Sequence, residues 1–137
     1  MAARDCYAFT VRDEAAQPRD ALIAWEGDSK EIISGFPNKV RQNLGFQLRL
    51  LQQGQQPKDY RPMPSIGPGV FELRDEDARA WYRVVYLSRI RGLIHVLHCF
   101  EKKGREMPQK EISMARQRLR TVRARMMEEK KHGKPPQ

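Results

Sequence analysis

Between Val70 and Glu101 three runs of alternating apolar and polar residues follow one another: Val70 to Arg74, Trp81 to Leu87 and Leu93 to Glu101. Only Asp75-Glu76-Asp77 and Ser88 to Gly92 separate them. Period-two alternation in stretches rich in Val, Tyr and Ile specifies strands, and connections this short hold no crossover helix, so the strands pair antiparallel. Alternation also assigns faces. Phe71, Leu73, Tyr82, Val84, Tyr86, Ile94, Val96, His98 and Phe100 fall on an apolar side that should meet helices. Glu72, Arg74, Arg83, His95 and Glu101 fall on the other, beside Trp81, Val85 and Leu97.

The flanking segments supply the helices. Ala21 to Trp25 reads as a first buried strand closed by Glu26-Gly27. Asp28 with Glu31 three positions on has capping-box spacing, and Gly35 stops a short helix before Phe36-Pro37. Pro37 suits the first turn of a second helix, whose Val40, Leu44, Leu48 and Leu51 share one face and which Gly54 ends. From Gly54 to Gly69 four prolines and three glycines predict a fixed surface loop. Pro108 opens a last helix with an apolar seam of Ile112, Ala115, Leu119, Val122 and Met126, flanked by arginines. The expectation is an α+β fold: a helical hairpin and a C-terminal helix packed on an antiparallel sheet of about four strands. Residues 21–131 form the domain. Residues 1–20 make a variable extension, with a short strand at Tyr7 to Val11, and residues 132–137 a flexible tail.

At 137 residues and 39% apolar content, one modest core is expected. Apolar stretches such as Val84 to Leu87 fall far short of the roughly twenty residues of a membrane span. Arg4, Asp5, Arg12, Asp13 and Glu14 leave no apolar core for a secretory signal, and Cys6 and Cys99 show no disulfide or zinc spacing. A cytoplasmic protein without metal or cofactor is the expectation. The net charge of +9 is concentrated: from Lys102 to Lys134 twelve basic residues stand against Glu106, Glu111, Glu128 and Glu129. Such a segment holds polyanions by releasing counterions, although a charge run is also often just a solvated helix face.

Three strand segments carry a resemblance: Glu72-Leu73-Arg74, Tyr82-Arg83-Val84-Val85-Tyr86 and His98-Cys99-Phe100-Glu101-Lys102-Lys103. With Trp25-Glu26-Gly27-Asp28-Ser29, Phe36-Pro37, Val40-Arg41, Gln53-Gly54, Gly67 to Val70, and Pro108 with Glu111-Ile112 and Ala115, they resemble the phage-derived HigB-like branch of the RelE/ParE toxin superfamily over residues 21 to 126. The resemblance implies the toxin of a type II toxin–antitoxin system. Such a toxin is a ribosome-dependent messenger RNA endonuclease, silenced by a helix-turn-helix, HigA-like antitoxin, in some cases within a higher-order complex.

Metal-independent RNA cleavage needs a base, an acid and cations for the charge developing on phosphorus. The resemblance aligns Arg83 with the arginine that stabilises the scissile phosphate and Lys103 with a basic strand-end position. Arg74 is a weaker catalytic candidate, and His98 could move protons, although a histidine grouped with Ile94, Val96 and Phe100 also reads as a core residue and His95, on the polar side, could serve instead. Glu72 is an alternative cross-strand partner for Arg83. Lys102, Arg105, Arg116, Arg120 and Arg123 are candidates for RNA contact. Cys99 reads as a packing residue. One departure stands out: Arg105 to Gln117 contains no tyrosine, so the base that some relatives place there must come from a lysine, a histidine or the ribosome. The alternatives are a ParE-like gyrase inhibitor, a phage host-inhibition protein acting by docking alone, or a nucleic-acid-binding domain without catalysis.

Overall fold

The break expected between Ser88 and Gly92 narrows to two residues. Strand β4 (Trp81–Ile90) is joined to β5 (Leu93–Lys102) by Arg91 and Gly92, whose φ angles are 55° and 78°. A two-residue turn with both φ positive follows the twist of the flanking strands, but a side chain at its first position is strained. Arg91→Asn is therefore expected to raise stability by about 1 kcal/mol in urea unfolding. A lowered midpoint would mean that the exposed Arg91–Glu129 ion pair, 3.3 Å long, outweighs the relief.

The computed structural model describes residues 20–131, so the expected strand at Tyr7 to Val11 and the tail of residues 132–137 lie outside the described residues. In chain order the remaining elements are β1 (Leu22–Trp25), α1 (Ser29–Ser34), α2 (Asn38–Gln52), β2 (Tyr60–Pro62), β3 (Val70–Glu76) and, after β5, α3 (Gln109–Lys131). The fold is α+β, as expected, but the sheet has five strands in the order β1-β5-β4-β3-β2 and is mixed, because β1 pairs parallel with β5. The fifth strand is β2, inside the segment read as loop. It lies at the sheet edge, where a proline's missing N–H costs no ladder bond.

Both faces of the sheet are covered. Val40, Leu44 and Leu48 of α2 pack with Ile33 of α1 on Leu73, Tyr82, Val84, Tyr86, Ile94 and Val96. The seam of α3 packs Ala115, Leu119 and Val122 against Val70, Val85, Leu87, Leu97 and Phe100 on the opposite face. Each fully buried aliphatic side chain contributes roughly 1.5–3 kcal/mol, so both layers matter. Gly67 permits the second, since a Cβ there would lie 2.5 Å from Leu119 Cδ2. Asp28 does not cap α1 through its side chain; its Oδ1 instead accepts from Arg118 Nη2 at 2.9 Å. A guanidinium delivered by α3 replaces the local amide as its partner.

One irregularity in β5 rearranges the face assignment. Val85 is opposite His98 but Tyr86 is opposite Val96, which leaves Leu97 as an extra residue, a β-bulge. Strict alternation puts His98 and Phe100 with Ile94 and Val96. Beyond the bulge the parity reverses: Phe100 joins the α3 layer and Cys99 the α2 layer.

Candidate nucleic-acid interface

At the end of the sheet nearest the start of β4, the α3-side face carries charge rather than apolar side chains. Arg74 of β3 and Arg83 of β4 stand directly opposite each other in the ladder. Like charges in that position repel, so a sheet built for stability alone avoids the arrangement. Lys102 comes alongside: it is opposite Trp81, its ammonium lies 5.8 Å from the Trp81 ring centroid, and it donates to the Arg105 carbonyl at 2.9 Å. Arg61 of β2 completes a group of four cations.

Two carboxylates hold this group together. Glu72 is fully buried and lies 3.0 Å from Arg61 Nε and 3.6 Å from Arg83 Nε. The longer separation leaves Glu72 Oε1 without a hydrogen bond. Asp59 Oδ1 accepts from Arg74 through Nε at 3.1 Å and Nη2 at 3.0 Å. Within the cluster Glu72 and Asp59 offset two of the four cations, and Asp75 and Glu76 stand at the rim of the depression beside it. Burial lowers the Arg83 pKa from its ordinary value, Glu72 opposes that, and Arg74 and Arg61 push in the same direction as burial. Burial and the nearby Arg83 likewise depress the Lys102 ammonium. Arg83 is only 8% exposed, yet it lines a shallow depression with Asp59, Arg74, Asp75, Glu76 and Trp81.

The structure brings together only part of the group expected from sequence. Arg83 and Arg74 adjoin, and Lys102 joins them. Lys103 does not: it pairs with Glu101 at 3.8 Å and lines a depression with Gly35, Pro37 and Tyr82 on the α2 side. His98 is also committed elsewhere. A guanidinium can only donate, so His98 Nδ1 accepts from Arg118 Nη1 at 3.1 Å and Nε2–H donates to Glu111 Oε1 at 2.6 Å. The ring stacks on Phe100, with 5.5 Å between centroids. With both nitrogens engaged, His98 links β5 to α3. His95 is similarly held by Glu26 at 2.9 Å, and Glu26 also accepts from Arg125 at 2.7 Å. Cys99 is buried, and burial pushes its thiol pKa up, in keeping with packing.

Two of the arginines expected to contact RNA, both on α3, are instead tied to the fold. Arg116 donates to the Ser65 carbonyl at 3.0 and 2.7 Å, and Arg123 to the Pro68 carbonyl at 2.7 Å, tying the helix to the loop before β3. Arg105 and Arg120 are exposed. Sequence reasoning missed Arg61, Asp59, Glu111 and Arg118. Arg61 sits in a three-residue strand too short to show alternation, and Arg118 was one arginine among five whose inward direction only the helix docking fixes.

No helix among the described residues is long and apolar enough to cross a membrane. No curated protein matches the chain. A family model described as Phage derived protein Gp49-like (DUF891) matches residues 31–120, a stretch that contains β3, β4 and β5 and all four members of the cationic group. That match spans well over half of the sequence, and the chain belongs to the phage-derived Gp49-like protein family.

Proposed function

We propose that this protein is the HigB-like toxin of a type II toxin–antitoxin pair and cuts messenger RNA on the ribosome without a metal ion. The observation that carries the reading is the in-register pair Arg74–Arg83 with Lys102 beside it. Cations held against mutual repulsion are stabilised by an anion bound between them, and a phosphodiester supplies oxygens in the geometry that arginine forks match. In the proposed reaction the ribose 2′-oxygen attacks the adjacent phosphorus and the bond to the 5′-oxygen breaks, leaving a cyclic phosphate and a 5′-hydroxyl. Arg83 and Arg74 stabilise the charge on the phosphoryl oxygens. Lys102, whose pKa burial and Arg83 depress, takes the 2′-hydroxyl proton once it has itself lost a proton, and the leaving oxygen is protonated by solvent or a ribosomal group. Arg105 and Arg120 contact ribosomal RNA, and a helix-turn-helix antitoxin silences the toxin by covering the cationic face.

Primer extension on a message translated with and without the protein tests this. New stops are expected only when the protein and translation are both present. The cutting rate should rise with pH along a limb whose midpoint lies below the ordinary lysine value, because the base works when neutral, and Lys102→Met should remove that limb. An uncut message under growth-arresting conditions would overturn the reading in favour of an inhibitor that only docks.

A further inference from the structure

Beside the cationic cluster lies a second kind of chemistry that the proposed cleavage does not use. Trp81 is two residues from Arg83 on the same strand face and lines the same depression. That spacing, about 7 Å along a strand, is comparable to the reach from a backbone phosphate to the base of the same nucleotide. Glu76 stands directly opposite Trp81 in the β3–β4 ladder and on the same face, where paired Cβ atoms are about 5 Å apart. It is exposed and makes no ion pair with the described residues. Of the other carboxylates around the depression, Asp59 is occupied by Arg74 and Asp75 accepts from Asn43 at 3.1 Å.

Resting on the RNA reading above, we propose that Trp81 and Glu76 form a nucleobase subsite that selects guanine next to the bound phosphate. An indole is a stacking platform for any base, so Trp81 supplies affinity without choice. Glu76 supplies the choice. An ionised carboxylate only accepts hydrogen bonds, and it fits best a base edge presenting two adjacent N–H donors. Guanine presents that pair through N1–H and its 2-amino group. Adenine and cytosine set an acceptor beside their amino group, and uracil flanks its single N–H with two carbonyls, so each brings an acceptor towards the carboxylate. The Lys102 ammonium near the indole holds the platform between β4 and β5.

The test uses the full chain carrying Trp25→Phe, which leaves Trp81 as the only indole, titrated with the 2′-O-methyl dinucleotides GpG, ApA, CpC and UpU, which resist cleavage. Indole fluorescence should be quenched on binding, with GpG preferred by on the order of tenfold. Trp81→Ala, followed by anisotropy of labelled GpG, should weaken binding roughly ten- to hundredfold, and Trp81→Phe should restore most of it. Glu76→Gln should keep stacking and lose the guanine preference. Equal binding by the Trp81→Ala protein, or a guanine preference that survives Glu76→Gln, overturns the subsite. If Arg83→Ala still abolishes binding in that case, the phosphate reading stands alone; if Arg83→Ala also binds normally, both fall.

Discussion

Replacing Glu72 with alanine is expected to destabilise the protein by roughly 3 kcal/mol, the low end of the cost of removing one partner from a buried ion pair. Glu72 is fully buried between Arg61 and Arg83, and Arg83 itself is 8% exposed. Without the carboxylate, Arg83 keeps a nearly buried charge opposite Arg74 and near Lys102, with the Tyr82 carbonyl, 3.1 Å from Nη1, as its one hydrogen-bond acceptor among the described residues. Arg61 contributes less to the loss, because its side chain is 55% exposed and water screens it. In a domain of this size each kilocalorie moves the melting temperature by roughly 3–4 °C, so a fall on the order of 10 °C should be visible in thermal unfolding. Pairing Glu72→Ala with Arg83→Met should recover part of the loss, since no unpaired charge then remains buried. A loss below about 1 kcal/mol for Glu72→Ala would mean that the pair does not anchor the cluster.

In the proposed reaction, Arg83→Ala is expected to lower the rate of messenger cleavage by about 10²–10³-fold, the scale seen when one preorganised donor to a developing oxyanion is removed. Arg83→Lys should recover little of it, because a single ammonium cannot reproduce the planar fork. The substitution removes a buried charge together with part of its repulsion with Arg74, and Glu72 keeps Arg61 as partner, so the lost rate should not reduce to unfolding. Single-turnover cleavage on programmed ribosomes, measured beside the urea midpoint of the same preparation, separates the two. Undiminished cutting would remove Arg83 from the mechanism. Growth arrest that survives without cutting would favour gyrase or another docked target.

The elements legible in the sequence were those with a sustained period. Val40, Leu44 and Leu48 announced α2, and Ala115, Leu119 and Val122 announced α3, because helical spacing over several turns leaves few alternatives. Strand β2 was illegible, since three residues among prolines carry no alternation. The capping box at Asp28 had the right spacing and the wrong partner, because Arg118 arrives from 90 positions away. Within the candidate site, Arg83 and Arg74 could be read from their strands. The identity of the third cation could not, because it depends on a residue inserted at Leu97. Glu72 was legible as a partner for Arg83 by charge, whereas its sharing with Arg61 required the sheet order.

The extra residue at Leu97 also governs how this chain is compared with its relatives. Counting along β5 equates positions by ordinal number, but a strand delivers its side chains by odd and even, and one added residue exchanges the two sets for everything downstream. A homologue lacking that insertion would aim the neighbour of its matching lysine at the same spot, so functional equivalence past the kink follows orientation, not alignment column.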